Sequence, residues 1–206
     1  LMSSRADASR GWNWYSQASQ GGGVIGALGT HAMDILAWLI GPLSGVQALN
    51  ATSIHERPLD EGGMATVDSE DVSLIQARLQ WQGRADSLVP AQINLASVAR
   101  HGRGCWLEVY GSEGTLILGS PNQKDYVHGF ALQHAAAGEA LRAIEADADL
   151  AFETTWADGR IAPVARVQGW WAESIRSGRP MIPGLAEGVA SRSACDQAAQ
   201  AVTRRA

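Results

Sequence analysis

His31 is the side chain best placed by sequence to move a proton. It stands in the run Gly29-Thr30-His31-Ala32-Met33-Asp34, with Asp34 three residues on and Trp38 seven on. On a helix those three positions share a face. An imidazole beside a carboxylate is a positioned acid or base near neutral pH. The competing reading is a core histidine whose nitrogens are satisfied by neighbours. A metal pair at i and i+3 would need further ligands, and the spacing marks none. His55, His101, His128 and His134 read as solvated or structural, the last two within a helical final third.

Trp12, Trp14 and Tyr15 precede a glycine run in a polar, irregular segment. Aromatic rings there suit the apolar faces of a sugar; packing of the N-terminal segment on a sheet is the equal alternative. Gly21, Gly23 and Gly26 have G-x-G-x-x-G spacing, but Ser16-Gln-Ala-Ser-Gln20 is no buried strand and no acid follows at the ribose distance. They are therefore not a dinucleotide fingerprint. They fit a tight turn and close backbone approach at a helix start. Arg100 and Arg103 could grip an anion, though a turn-borne surface pair is the simpler account. Glu108 and Glu113 flank a turn without marking carboxylate chemistry, and no Ser–His–Asp or Cys–His set assembles.

The elements that must hold these residues follow from periodicity. Val24–Ile40 is an apolar stretch, opened by glycines and closed by Gly41-Pro42, and predicts a buried helix. Val46–Ile54 reads as a strand, Glu56–Asp68 as a loop, Asp71–Trp81 as an alternating strand. Gln82–Ala85 is a turn and Ser87–Ala99 another strand; Trp106–Tyr110 and Thr115–Leu118 form a hairpin about Gly111–Gly114. Phe130–Leu150 reads as helical, followed by a helix over Pro163–Ser177 with Val167, Trp170, Trp171 and Ile175 as its buried stripe, and by Leu185–Val202. Trp38, Trp81 and Trp106 join Trp170 and Trp171 as expected core or interface anchors. The expected class is α+β: an open, mainly antiparallel sheet of roughly five or six strands with helices packed on one face.

Composition narrows the function. The chain has 206 residues, 46% hydrophobic and 18% charged, and a net charge of −5. That suits one globular domain over residues 1–206. The acidic balance and scattered basic residues argue against nucleic acid. No apolar run reaches the roughly 20 residues of a membrane helix, and no secretory signal opens the chain. Cys105 and Cys195 match no metal spacing and read as reduced, buried thiols of a cytoplasmic protein, with one disulfide as the alternative. The leading Leu1 suggests a fragment or a processed product.

The segment Trp14…Gly21-Gly-Gly-Val-Ile-Gly-Ala-Leu-Gly-Thr-His31-Ala-Met-Asp34-Ile-Leu-Ala-Trp-Leu-Ile-Gly41 resembles the Gfo/Idh/MocA oxidoreductases, the family of glucose–fructose oxidoreductase and inositol dehydrogenase. Val46-Gln-Ala, Glu108-Val-Tyr-Gly-Ser-Glu-Gly-Thr-Leu116, and Trp171–Pro180 through Pro183-Gly184 to Ala198-Ala199 agree with it. The resemblance implies a dihydrodipicolinate-reductase-like C-terminal domain that binds substrate and pairs subunits. The partner domain would be an N-terminal Rossmann domain carrying NAD or NADP and a catalytic lysine. No strand–glycine–helix unit of that kind is present in these residues, so no cofactor is expected on this chain. His31 matches the family's catalytic histidine. Many members place an aspartate four residues earlier, where this chain has Ala27, so the resemblance implies that the relay is absent or that another residue replaces it, with Asp34 the nearest candidate. The implied function is hydride transfer on a sugar-like hydroxyl or carbonyl compound in a homo-oligomer. The rival is a non-catalytic ligand-binding or assembly module of the same descent.

Overall fold

A computed structural model describes residues 3–81, 86–121, 130–145, 147, 158–159, 161–200 and 203–205. The expected turn at Gln82–Ala85 and His128 lie outside them. The chain divides into two compact units: residues 2–100 with 182–206, and residues 101–181.

The first unit is built on a sheet ordered β10-β1-β4-β5, where β1 is Leu43–Thr52, β4 Val72–Gln80, β5 Leu88–Ala96 and β10 Thr203–Arg205. β1, β4 and β5 are antiparallel neighbours; β10 adds in parallel to β1, pairing Asn50 with Thr203. Strict alternation along β4 turns Ser73, Ile75, Ala77 and Leu79 inward and Leu74, Gln76 and Arg78 outward. Ile93 and Leu95 of β5 continue the inner face. Two helical segments cover it. One begins at Gly23, runs as a π-helix over Ile25–Gly29 and continues as α1, Thr30–Leu39. The other is α3, Leu185–Ala199, which buries Ser191, Ala194, Cys195 and Ala198. Small side chains let the two backbones approach: a Cβ on Gly29 would stand 3.2 Å from Cys195 Sγ. Burial pushes the Cys195 thiol up to about 11, so it is an inert packing group.

Composition predicts a helix buried on nearly all faces, and the structure corrects this. Val24, Ile25, Met33 and Leu36 face the core, whereas His31, Leu39 and Trp38, the last 74% exposed, do not. The helical stretch Ala18–Leu39 does reach 22 residues, long and apolar enough by composition to cross a membrane. Its inner face is instead the core of this unit, and it carries His31 and Asp34 within the apolar run. The expected loop at Glu56–Asp68 contains a small hairpin, β2 Glu56–Pro58 with β3 Met64–Thr66.

The second unit holds an antiparallel sheet β6-β7-β8-β9, with β6 Cys105–Tyr110, β7 Gly114–Ser120, β8 Ala131–Ala136 and β9 Arg142–Ile144. The hairpin about Gly111–Gly114 is as expected. The helix expected from Phe130 is not: β8 pairs along β7, matching His134 with Leu116, and Gly138 turns the chain at φ 85° into β9. Cross-strand pairing overrides the helix propensity of an Ala-rich run. Among the described residues the strands divide into two four-stranded sheets and a hairpin. α2, Ile161–Ser177, forms as predicted, but Val167, Trp170, Trp171 and Ile175 are exposed, so the expected buried stripe is corrected. Trp81 is also exposed, and so is Cys105, contrary to the buried thiol expected. Both cysteines are free.

Candidate functional site

The candidate residues sit in the first unit, where one loop orders them. Residues 66–71 act as a rail along which the N-terminal segment is bonded. Trp12 Nε1 donates to Thr66 O at 2.9 Å, and Asp68 N to Ser16 O at 3.2 Å. Ala18 N donates to Asp68 Oδ1 at 2.7 Å, and Ser69 Oγ to Tyr15 O at 2.8 Å. Val24 N donates to Glu70 O at 2.8 Å and Ile25 N to Glu70 Oε1 at 2.8 Å. Asp71 closes the rail by accepting from Ser53 N and Ile54 N. A segment with no ladder of its own is thus held at fixed height against the sheet.

The three rings have different surroundings. Trp14 is 55% exposed and meets Tyr15 edge-on at 5.8 Å. Tyr15 is buried, with the Arg5 guanidinium 3.3 Å from its ring centroid. Burial pushes the Tyr15 phenol above its usual range; the nearby Ser97 hydroxyl and Arg5 charge oppose this. Ser97 nevertheless falls short of hydrogen-bond geometry, because buried Tyr15 Oη has no partner among the described residues. Trp12 is half-buried and fixed by its indole bond. Of the three, Trp14 offers the open stacking surface.

Glu70 is the functional neighbour that sequence reading missed. Its buried carboxylate accepts from the first turn of the helix that carries His31, where N–H groups are otherwise unpaired. Gly23, at φ +87°, leaves room for it: a Cβ there would collide with the Glu70 carboxylate. Burial holds the Glu70 carboxyl above the usual range, against the Ile25 N–H and its own N–H, and Asp71 adds to the rise. A carboxyl raised on folding contributes most below its unfolded value, and that contribution is lost as pH rises through the folded value. Glu70→Gln keeps an acceptor for Ile25 N–H without the buried charge. Thermal melts at neutral pH are expected to show it as stable as the wild type or more so. The margin should shrink as pH falls from the raised folded value toward the ordinary glutamate range and be gone below that range; a margin that grows on acidification contradicts this account.

His31 and Asp34 lie on α1 as expected, one turn apart. His31 is exposed, and its imidazole makes no hydrogen bond or ion pair, to Asp34 or otherwise, among the described residues. The Asp34 carboxylate is engaged across the helix pair, accepting from Ser191 Oγ of α3 at 3.2 Å. No hydrogen bond joins His31 to the aromatic trio among the described residues. A separate open hollow of about 310 Å³, lined by His55, Glu56, Thr66 and Val67, lies beside the rail and does not include His31. No group of three metal-ligating side chains occurs among the described residues. Neither Glu70 nor Ser191 carries a local sequence signal, since their partners are 45 and 157 residues away.

The fold and this helix-borne histidine define an α+β domain with open, mainly antiparallel sheets, helices covering one face in the first unit. Residues 2–117 match the GFO/IDH/MocA C-terminal domain, more than half of the chain. The chain belongs to that oxidoreductase family. It is 44% identical over 203 residues to an oxidoreductase of Synechocystis sp., sll0816, covering 98% of this chain and 53% of that protein. Levoglucosan dehydrogenase of Pseudarthrobacter phenanthrenivorans is 28% identical over 146 residues, 63% of this chain and 36% of the relative. A solved levoglucosan dehydrogenase in complex with NADH matches the fold with TM-score 0.72 at 21% identity, over 95% of this chain and 52% of that one. An NAD binding oxidoreductase from Klebsiella pneumoniae gives 0.74 at 18% identity, over 94% and 52%. The chain thus spans about half the length of its Synechocystis relative.

Proposed function

We propose that this chain is the substrate-side domain of a cytoplasmic NAD- or NADP-dependent oxidoreductase acting on a hydroxyl or carbonyl of a sugar, polyol or related compound. Family membership supports the reaction class, and a relative named levoglucosan dehydrogenase supports the substrate class. The observation that carries the reading is an exposed His31 on a helix bonded at its start by Glu70 and at Asp34 by Ser191.

The glycine-opened start of this helix resembles a phosphate cradle, and it does not fit the nucleotide. The Glu70 carboxylate fills the space beside Gly23 and takes the Ile25 N–H. Gly22 backs onto the carbonyl oxygens of Trp14, Tyr15 and Gln17. A pyrophosphate would meet negative charge in place of free N–H donors. We therefore assign the nicotinamide cofactor to a Rossmann domain elsewhere in the parent protein. In this chain, a His31 ring nitrogen takes the substrate hydroxyl proton on oxidation or returns it on reduction. Asp34, three residues on, is the proposed carboxylate of the site, and no hydrogen bond joins it to His31 among the described residues. Of the aromatic residues Trp12, Trp14 and Tyr15, Trp14 is the proposed stacking surface for the sugar, with buried Tyr15 behind it edge-on and Trp12 fixed beside the rail.

The outward face of the first sheet, with Leu49, Leu74 and Gln76, is the proposed surface for pairing subunits. Light scattering should give a dimer or larger; a clean monomer counts against it. The catalytic reading is tested by NAD(P)H production from a panel of sugars and polyols, using the parent protein and its His31→Gln variant.

A further inference from the structure

The geometry points to Arg57 of β2 as a positioning residue that, through Arg5, fixes the aromatic surface at Trp14. The inference rests on the proposed stacking of a sugar on Trp14. Each link is a contact in the structure. Arg57 is buried, and its guanidinium donates to Arg5 O at 2.6 Å, Asp7 O at 2.8 Å and Arg10 O at 3.5 Å. A buried cation is costly unless its donors are met, so the carbonyls that meet them are held in place. The first of those carbonyls belongs to the residue whose guanidinium lies 3.3 Å from the Tyr15 ring centroid. Tyr15 in turn meets Trp14 edge-on, with centroids 5.8 Å apart and planes at 65°.

β2 holds this N-terminal segment at two adjacent strand positions. Arg57 grips the stretch from Arg5 to Arg10, and Pro58 O accepts from Trp12 N at 2.8 Å. The Tyr15 main chain is fixed separately, its N–H donating to Asn13 Oδ1 at 3.1 Å and its carbonyl accepting from Ser69 Oγ at 2.8 Å. Those bonds leave the ring itself to its neighbours, and Arg5 covers one face of it. The attraction of a cation for the ring quadrupole holds that face against the guanidinium. Trp14, 55% exposed, rests its ring on the buried one, so the angle of the outer ring follows from the inner. An arginine that only anchored the terminus would change how much protein folds, not how tightly folded protein holds a sugar. An arginine that sets Trp14 would change the second.

The test uses variants of the parent protein and two readouts. One is steady-state kinetics on whichever sugar of the panel is turned over fastest. The other is the ¹⁹F resonance of Trp14 after fluorotryptophan labelling, assigned by its loss in Trp14→Phe. Arg5→Met and Arg57→Lys should each move the Trp14 resonance and raise KM by about two- to fivefold, the range of one cation–π contact, with kcat little changed. Lysine keeps the charge at position 57 but not the fork that spans two carbonyls. Arg5→Lys, which keeps a cation for the ring, should recover most of the wild-type KM. The double variant should raise KM no further than the larger single. Should Arg57→Lys not fold, Arg57→Gln, which keeps an amide donor, takes its place. A Trp14 resonance unmoved by these variants, or a fall in kcat at unchanged KM, overturns the inference. The stacking reading beneath it fails separately, by a Trp14→Ala parent that keeps the wild-type KM. If Trp14→Ala raises KM while the Arg5 and Arg57 variants do not, only the positioning role falls. In a parent without sugar turnover the functional reading falls, and the ¹⁹F resonance decides the coupling of Arg57 to Trp14.

Discussion

His31→Gln in the parent protein is expected to lower turnover of the sugar substrate by about 10²–10⁴-fold, the range for losing a positioned acid–base group. Glutamine keeps much of the shape and can still hydrogen-bond a hydroxyl, but it cannot carry the proton. The loss should therefore fall on kcat, with KM little changed. Because His31 is exposed and unbonded among the described residues, stability should stay within about 0.5 kcal/mol of wild type. That separation matters, since a fall in activity with a fall in Tm would indict packing. Turnover within threefold of wild type would remove His31 from the chemistry. The non-catalytic assembly reading would then be favoured.

What was legible in the sequence was local. The alternation of Asp71–Trp81 gave β4 nearly to the residue, because one face of that strand is buried and the other is not. The Gly111–Gly114 turn located β6 and β7, and Gly41 with Pro42 located the end of α1. The errors have physical causes too. Ala131–Ala136 has helix-forming composition, yet a strand of the same sheet pairs with every residue of it. The stripe Val167–Ile175 is truly amphipathic, but periodicity states which face is apolar and not whether anything covers it. The site divides in the same way. His31, Asp34 and Trp14 announce themselves by type and spacing. Glu70 and Ser191 act through contacts 45 and 157 residues long, which no window can show. Gly23 and Gly26 do stand at close approaches while Gly21 faces open space, and the group against Gly23, a carboxylate 47 positions on, carries no local sequence signal.

That carboxylate makes Gly23→Ala a doubly costly substitution at the start of the helix that bears His31. Two costs arise at once. The backbone at φ +87° is a conformation that alanine adopts only at about 1–2 kcal/mol. The added Cβ also collides with the Glu70 carboxylate, which must leave Ile25 N–H. A buried donor then goes unpaired, at about 1–3 kcal/mol. Together these amount to roughly 2–5 kcal/mol, a large share of the 5–15 kcal/mol that holds a typical domain folded. Urea unfolding measures the loss directly. The two costs can be separated, because the clash and the lost hydrogen bond are the same contact seen from opposite sides. Glu70→Ala alone is expected to destabilise by the hydrogen-bond share. Added to Gly23→Ala, it should cost much less than it does alone, since the bond is already broken and the collision is relieved. Strictly additive losses would mean that Gly23 is needed for its backbone alone. In that case Glu70 would be a neighbour of the helix start and not the group that seats the helix bearing His31.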